Sequence, residues 1–251
     1  MTKVLMAAVV LLMTGVSAMA GPTEVRFGHG DNGYMLLPEM PGRAPAVVLL
    51  HDWRGPTAPM LEEAQGFADR GYVVLVPDLF EGKRPATPAA AQAMIMHEGL
   101  DAKRLRLSRV LSDALTYLSV RPGVDAGNIA LVGYDYGAAV ALKAGQEGLG
   151  FDAVVAYDPS PELLEKAGIT SLDQSGVPVL AHISSKEDTA QPVGLFSAAS
   201  ETPQPDTKVY QYPTRQAAFL SGDTGPYDAA YADLARQRTL EFLGRNMQTQ
   251  Q

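Results

Sequence analysis

Short apolar runs alternate along this chain with stretches whose apolar positions return every three or four residues. The runs at 24–28, 33–37, 46–51, 73–76, 128–132, 153–157, 179–183 and 207–212 read as strands. Several, such as Val47-Val48-Leu49-Leu50 and Val73-Val74-Leu75-Val76, are apolar without a break. Unbroken apolar runs fit strands covered on both faces, whereas a strand with one wet face would alternate. The stretches 59–70, 89–97, 102–119, 137–146, 192–199 and 226–244 read as helices. In 102–119, for instance, Leu107, Val110, Leu111, Ala114 and Leu118 fall on one helical face. Strand and helix in alternation predict a single α/β domain over about 22–245, a mostly parallel sheet flanked by helices. The last residues, 246–251, are expected to fray. A chain of 251 residues is long enough for one such domain with a full core.

The chemistry is concentrated where one strand becomes one helix. After Asn128-Ile129-Ala130-Leu131-Val132 comes Gly133-Tyr134-Asp135-Tyr136-Gly137, then Ala138-Ala139-Val140-Ala141-Leu142. A strand, a sharp turn bracketed by glycines and a helix make the setting of a nucleophile elbow. The glycines are required because the turn is strained and its backbone packs closely on its neighbours. The centre of such a turn ordinarily holds Ser or Cys, and here it holds Asp135.

From about Asn32 to Leu243 the chain resembles the dienelactone hydrolase family of α/β hydrolases. The resemblance rests on Pro45-Ala46-Val47-Val48-Leu49-Leu50-His51-Asp52-Trp53-Arg54-Gly55, similar to the family's first long strand and following loop. It rests also on Ala68-Asp69-Arg70-Gly71-Tyr72-Val73-Val74-Leu75-Val76-Pro77-Asp78-Leu79-Phe80, with its Pro-Asp-Leu turn. Tyr227-Asp228-Ala229-Ala230 and Arg238-Thr239-Leu240-Glu241-Phe242-Leu243 are similar to the family's last helix. The resemblance implies a nucleophile, an acid and a His, in that order along the chain. The nucleophile position falls on Asp135. The acid position falls on Asp188, with Pro192 four residues on favouring it over Glu187. The His position, in Tyr212-Pro213-Thr214-Arg215-Gln216-Ala217-Ala218-Phe219, falls on Ala217. The haloalkane dehalogenases and epoxide hydrolases resemble this arrangement in placing Asp at the elbow, but they need the His to activate water. Loss of a general base costs about 10²–10⁴-fold. Of the other histidines, His51 is expected near the pocket mouth, His182 in a structural place, His97 on the surface and His29 in the N-terminal hairpin.

Open parallel sheets bind ligands at the carboxyl ends of their strands. The sequence places Asp52, Asp135, Asp158 and Asp188 there, with His51, Trp53, Tyr134 and Tyr136 nearby. Asp52 stands where the family has a Glu close to the nucleophile, so two carboxylates would repel unless they share a proton or a cation. The Tyr136 amide, at the helix start, is expected to favour an anion. Three roles remain open for Asp135: N-cap of the following helix, holder of a ligand or cation, and covalent or general-base chemistry. Two functions therefore stand side by side. One is a protein that has lost ester hydrolysis and binds a small ligand or a partner. The other is a hydrolase of ester, lactone or related bonds using Asp135. No cofactor and no metal set is indicated, and the chain fits a monomer or a dimer equally.

The first twenty residues follow a different pattern. Lys3 precedes an apolar run from Val4 to Met13, and Ala18-Met19-Ala20 follows. A basic start, a short apolar run and an A-x-A site describe a secretory signal peptide. The alternatives are a buried helix or an anchor, for which the run is short. The mature protein is expected in the periplasm or outside the cell, with no membrane contact after cleavage. The chain has no Cys, which excludes disulfides and a lipidated cysteine. Removing Lys3 takes the formal charge from −8 to −9, which argues against nucleic acid and anionic membranes as partners. N-terminal sequencing of exported protein should read Gly21-Pro22-Thr23; a retained Met1 would rule out export by cleavage.

Overall fold

The computed structural model describes residues 21–40, 42–97, 100–172, 175–184, 206–213, 219–220 and 228–247. Eight strands form one sheet: β1 (Thr23–Phe27), β2 (Asp31–Leu36), β3 (Ala44–Leu50), β4 (Val73–Pro77), β5 (Val124–Tyr134), β6 (Ala153–Tyr157), β7 (Val179–Ser184) and β8 (Thr207–Tyr212). Their order is β1-β2-β4-β3-β5-β6-β7-β8. β1 and β2 form an antiparallel hairpin, and β2 lies antiparallel on β4. From β4 across to β8 every pairing is parallel. The helices are α1 (Ala58–Ala68), α2 (Pro88–His97), α3 (Leu100–Ser119), α4 (Tyr136–Glu147), α5 (Pro161–Lys166) and α6 (Ala229–Asn246). This is the α/β-hydrolase fold.

The unbroken apolar runs follow from helices on both faces. Side chains alternate along a strand, so Ala46, Val48 and Leu50 of β3 pack with Val110, Leu111 and Ala114 of α3 and with α4. Val47 and Leu49 pack on the opposite layer with Met60, Ala64 and Phe67 of α1 and Ala235, Phe242 and Leu243 of α6. Each such side chain contributes about 1.5–3 kcal/mol on burial, and both layers are needed because neither face of β3 meets water.

Strand and helix ends differ from the sequence expectation where local hydrogen bonding overrides periodicity. α6 begins at Ala229 rather than 226 because the Asp228 carboxylate accepts from the amides of Ala230 and Tyr231, an N-cap worth about 1 kcal/mol. Its far end also corrects the expectation of fraying from 246: the helix runs through Asn246, and Met247 is buried in the α1–α6 layer. The short α5, with Pro161 in its first turn, is too brief to show a period. The expected helix at 192–199 lies outside the described residues. Among the described residues no helix is long and apolar enough to cross a membrane.

The β5–α4 junction is set by close backbone packing. A Cβ at Gly133 would overlap the carbonyl of Gly137, and a Cβ at Gly137 would overlap the carbonyl of Leu50. The Gly137 amide donates to His51 O at 3.1 Å. The start of α4 is thereby drawn against the end of β3, and the chain can make the turn only with glycine at both places.

Candidate functional site

A cavity of about 550 Å³ opens over the carboxyl ends of β3, β5 and β6. Asp52, Tyr134, Asp135, Tyr157 and Asp158 line its floor, and Trp53 lines it from the loop after β3. Gln92 and Ile95 of α2, Leu163 of α5, and Phe219 and Leu220 complete the wall. Tyr134 pairs with Tyr157 across β5 and β6, so Asp135 and Asp158 follow partnered residues on neighbouring strands. Both have positive φ, 48° and 45°. For a residue with a side chain such backbone costs about 1–3 kcal/mol and persists only when its surroundings enforce it. Here the Asp135 amide donates to Tyr157 O at 2.9 Å, and the Asp158 amide to His182 O at 2.8 Å.

The helix-capping role for Asp135 is corrected: its side chain makes no capping hydrogen bond to α4, because at φ 48° and ψ −103° it does not have the extended backbone of an N-cap. Asp158 is held from the side, its two oxygens accepting from the amide of Ser184 at 2.5 Å and from the Ser184 hydroxyl at 2.6 Å. Asp52 does not stand beside Asp135 as a bare second charge. Its Oδ1 accepts from the Arg54 amide, and its Oδ2 accepts from the Arg54 guanidinium at 2.8 and 2.6 Å. Arg54, two residues along the same loop, is the cation that the crowding of carboxylates required.

Two residues expected beside the ligand lie elsewhere. Tyr136 is buried, its ring stacked on Phe80 at 5.4 Å in the α3–α4 layer. It follows the turn, so its side chain points to the face opposite Tyr134. His51 is fully buried and committed at both ring nitrogens. Nε2 accepts the Leu79 amide at 3.0 Å, so the proton sits on Nδ1, which donates to Asp52 O at 2.7 Å. Burial lowers its pKa, and no lone pair is left for a reacting group.

His182 is also fully buried. Its ring lies 4.6 Å from that of Tyr157, with Nδ1 2.9 Å from the Tyr212 hydroxyl and Nε2 3.0 Å from Thr239 Oγ1. His29 is on the surface, 2.8 Å from Asp113. The side chain of His97, and residues Asp188 and Ala217, lie outside the described residues. Phe219, two positions beyond Ala217 in sequence, packs on Tyr157 and Tyr212. Among the described residues, no three metal-binding side chains converge.

The residues that sequence reasoning missed are behind the floor. The Tyr134 hydroxyl donates to Glu63 Oε1 at 3.0 Å, and Arg236 bonds both oxygens of Glu63. A signal was present: Glu63 interrupts the buried stripe Met60, Ala64, Phe67 of α1, and a carboxylate on an apolar stripe needs a partner.

Burial and the nearby Arg238 push the His182 imidazole down to about 3, against about 6.5 for an unfolded chain. Between those values the unfolded state binds a proton that the folded state refuses. Stability is therefore retained above pH 6.5 and falls as pH drops toward 3, by up to about 1.4 kcal/mol per pH unit from this group. Urea unfolding of wild type from pH 7.5 to 4 should show that loss, and His182→Gln should show a shallower slope. Equal slopes would mean that His182 accepts a proton freely in the folded protein.

Comparison with known proteins places this geometry. A protein from Bradyrhizobium sp. described as "Probable 2-oxo-3-(5-oxofuran-2-ylidene)propanoate lactonase" is 26% identical over 227 residues, covering 86% of this chain and 90% of that protein. A dienelactone hydrolase-like promiscuous phosphotriesterase from metagenomic libraries has a similar structure, with TM-score 0.69 and 18% identity, over 90% of this chain and 98% of that one. The dienelactone hydrolase of Anabaena variabilis does so with TM-score 0.59 and 17% identity, over 91% and 100%. At those identities the structures establish the fold alone. The sequence model of the dienelactone hydrolase family matches residues 32–247, the span that holds the sheet from its second strand, the glycine-bracketed turn and the cavity. This chain belongs to the dienelactone hydrolase family.

Proposed function

We propose that this protein is an exported member of its family that has given up ordinary ester hydrolysis and uses the cavity to bind a small ligand. The observation that carries this reading is Asp135 at the strained turn where the family's nucleophile position falls. A carboxylate is a poor attacking group on an ester: attack at the acyl carbon leads to a mixed anhydride, higher in free energy than the ester, and must expel an alkoxide, a poorer leaving group than the carboxylate itself. The sequence supplies Ala217 where the family's general base is expected. His51 and His182 are committed at both ring nitrogens and kept neutral by burial, so neither takes the part. The size of the cavity, about 550 Å³, suits a small organic molecule. Its aromatic residues Trp53, Tyr134, Tyr157 and Phe219 suit a flat one.

One observation favours a second reading, an active hydrolase. Asp135 keeps positive φ yet does not serve as a cap, and backbone strain is retained where a site uses it. In that case Asp135 acts as nucleophile or base on an ester, a lactone or a related bond. The lactone class is the one named for the Bradyrhizobium relative.

Hydrolysis of p-nitrophenyl acetate by the mature protein should equal the rate of Asp135→Ala and lie close to background, the absence of a base costing about 10²–10⁴-fold. A rate well above background that vanishes in Asp135→Ala establishes the second reading. Label from ¹⁸O-water entering the Asp135 carboxylate in a single turnover then marks a covalent intermediate opened at the aspartyl carbon.

A further inference from the structure

Glu63 belongs to no part of that chemistry, yet it is buried, charged and one side chain removed from the turn. It sits on the apolar face of α1 between Met60 and Phe67 and is 6% exposed. An isolated carboxylate there would be strongly destabilising. Arg236 of α6 meets it through Nε to Oε1 at 3.1 Å and through a terminal nitrogen to Oε2 at 2.8 Å. Oε1 also accepts the hydroxyl of Tyr134 at 3.0 Å. Tyr134 is the last residue of β5, and the next residue is Asp135.

The same pattern repeats one strand over. Tyr134 stacks flat on Tyr157, with centroids 4.4 Å apart and 5° between planes. The Tyr157 hydroxyl lies 2.6 Å from Thr239 Oγ1, again on α6, and the next residue is Asp158. Each tyrosine that precedes a positive-φ aspartate is thus tied by its hydroxyl to a group on α6 or one clamped by it. Stability does not account for a buried ion pair in this place. Well-packed apolar residues of similar volume are often as good or better, and the charged pair's distinct property is that its geometry is directional. A hydrogen bond to the hydroxyl of a strand's last residue fixes that side chain's rotamer and anchors the strand end from which the turn departs.

We propose that Glu63 is a positioning residue of this site: clamped by Arg236, it fixes the Tyr134 hydroxyl and through it the conformation of the Asp135 turn. This rests on the reading that Asp135 is the group that the cavity presents to its ligand, but its test needs no ligand. Because the chain has no Cys, Asp135→Cys places the only thiol of the protein at the turn. Alkylation by iodoacetamide across pH gives the pKa of that thiol and its limiting rate. At a helix N-terminus the thiol should titrate below the free value of about 8.5.

Adding Tyr134→Phe leaves every charge and the stacked ring in place. It should move the thiol back toward the free value by about 0.5 pH unit or more, about threefold in thiolate at neutral pH. Adding Glu63→Ala should shift it in the same direction, although removal of a nearby negative charge alone would shift it the opposite way. A shift in Tyr134→Phe supports the proposal whether or not Glu63→Ala folds. If Tyr134→Phe lowers only the melting temperature and leaves pKa and limiting rate unchanged, Glu63 is merely structural and the proposal is overturned. If the thiol of Asp135→Cys alone already titrates as a free one, the turn is no activated site. The reading of Asp135 as the group that the cavity presents then fails, and the proposal with it.

Discussion

Two positions at the junction of β5 and α4 admit no side chain, and the site is built on that fact. Any Cβ at Gly133 would run into the backbone of Gly137, and any Cβ at Gly137 into the end of β3. With both positions bare, α4 starts directly against β3, and the residue between strand and helix is forced to positive φ. The amide of Asp135 is spent on Tyr157 O and that of Gly137 on His51 O. The turn is therefore locked to the strands on either side, and its side chain is held at the floor of the cavity whatever its identity. Fold and display of residue 135 are one constraint, whereas the chemistry depends on what is displayed.

That separation means that the family scaffold is kept whether or not its usual reaction is, as the proposed loss of ester hydrolysis requires. The strained backbone at 135 is enforced by glycines, by parallel pairing and by two helical layers, none of which needs a nucleophile. The groups that would make a nucleophile work are individual side chains, and the proposed function turns on these rather than on the backbone. The buried imidazoles have become part of the framework: His51 joins the end of β3 to the turn after β4, and His182 joins β7 to β8 and α6. A histidine committed in this way stabilises the fold at neutral pH and has nothing left to give a substrate.

Much of this was legible in the sequence, for reasons that differ by element. The parallel strands were readable because burial on both faces makes continuous apolar runs, as at Val47–Leu50. The turn was readable because glycines that bracket five residues between an apolar strand and a helix mark a tight, closely packed turn. Placement of Tyr134 and Tyr136 was half readable. Both flank Asp135 in sequence, but they leave the turn on opposite faces, so Tyr134 reaches the cavity while Tyr136 joins the α3–α4 layer. The capping role suggested for Asp135 failed because residue preference says nothing about a backbone that another contact has already set. Glu63 and Arg236 meet across 173 positions of sequence, and no local pattern reports a pairing of that range. Arg54 was visible in the loop, but its bond to Asp52 depends on how that loop folds back.

The proposed loss of hydrolysis rests on the residues at two of the three positions that the family resemblance assigns, Asp135 and Ala217. The most direct measurement is the esterase rate of Asp135→Cys combined with Ala217→His, against each single change. Cys is chosen because it is intrinsically nucleophilic and an adjacent imidazolium lowers its pKa. The account predicts weak turnover of p-nitrophenyl acetate in the double variant, absent from either single one because nucleophile and base act as a unit. It also predicts that Asp188→Ala reduces the gain. A correctly folded double variant with no rate above the parent would contradict it.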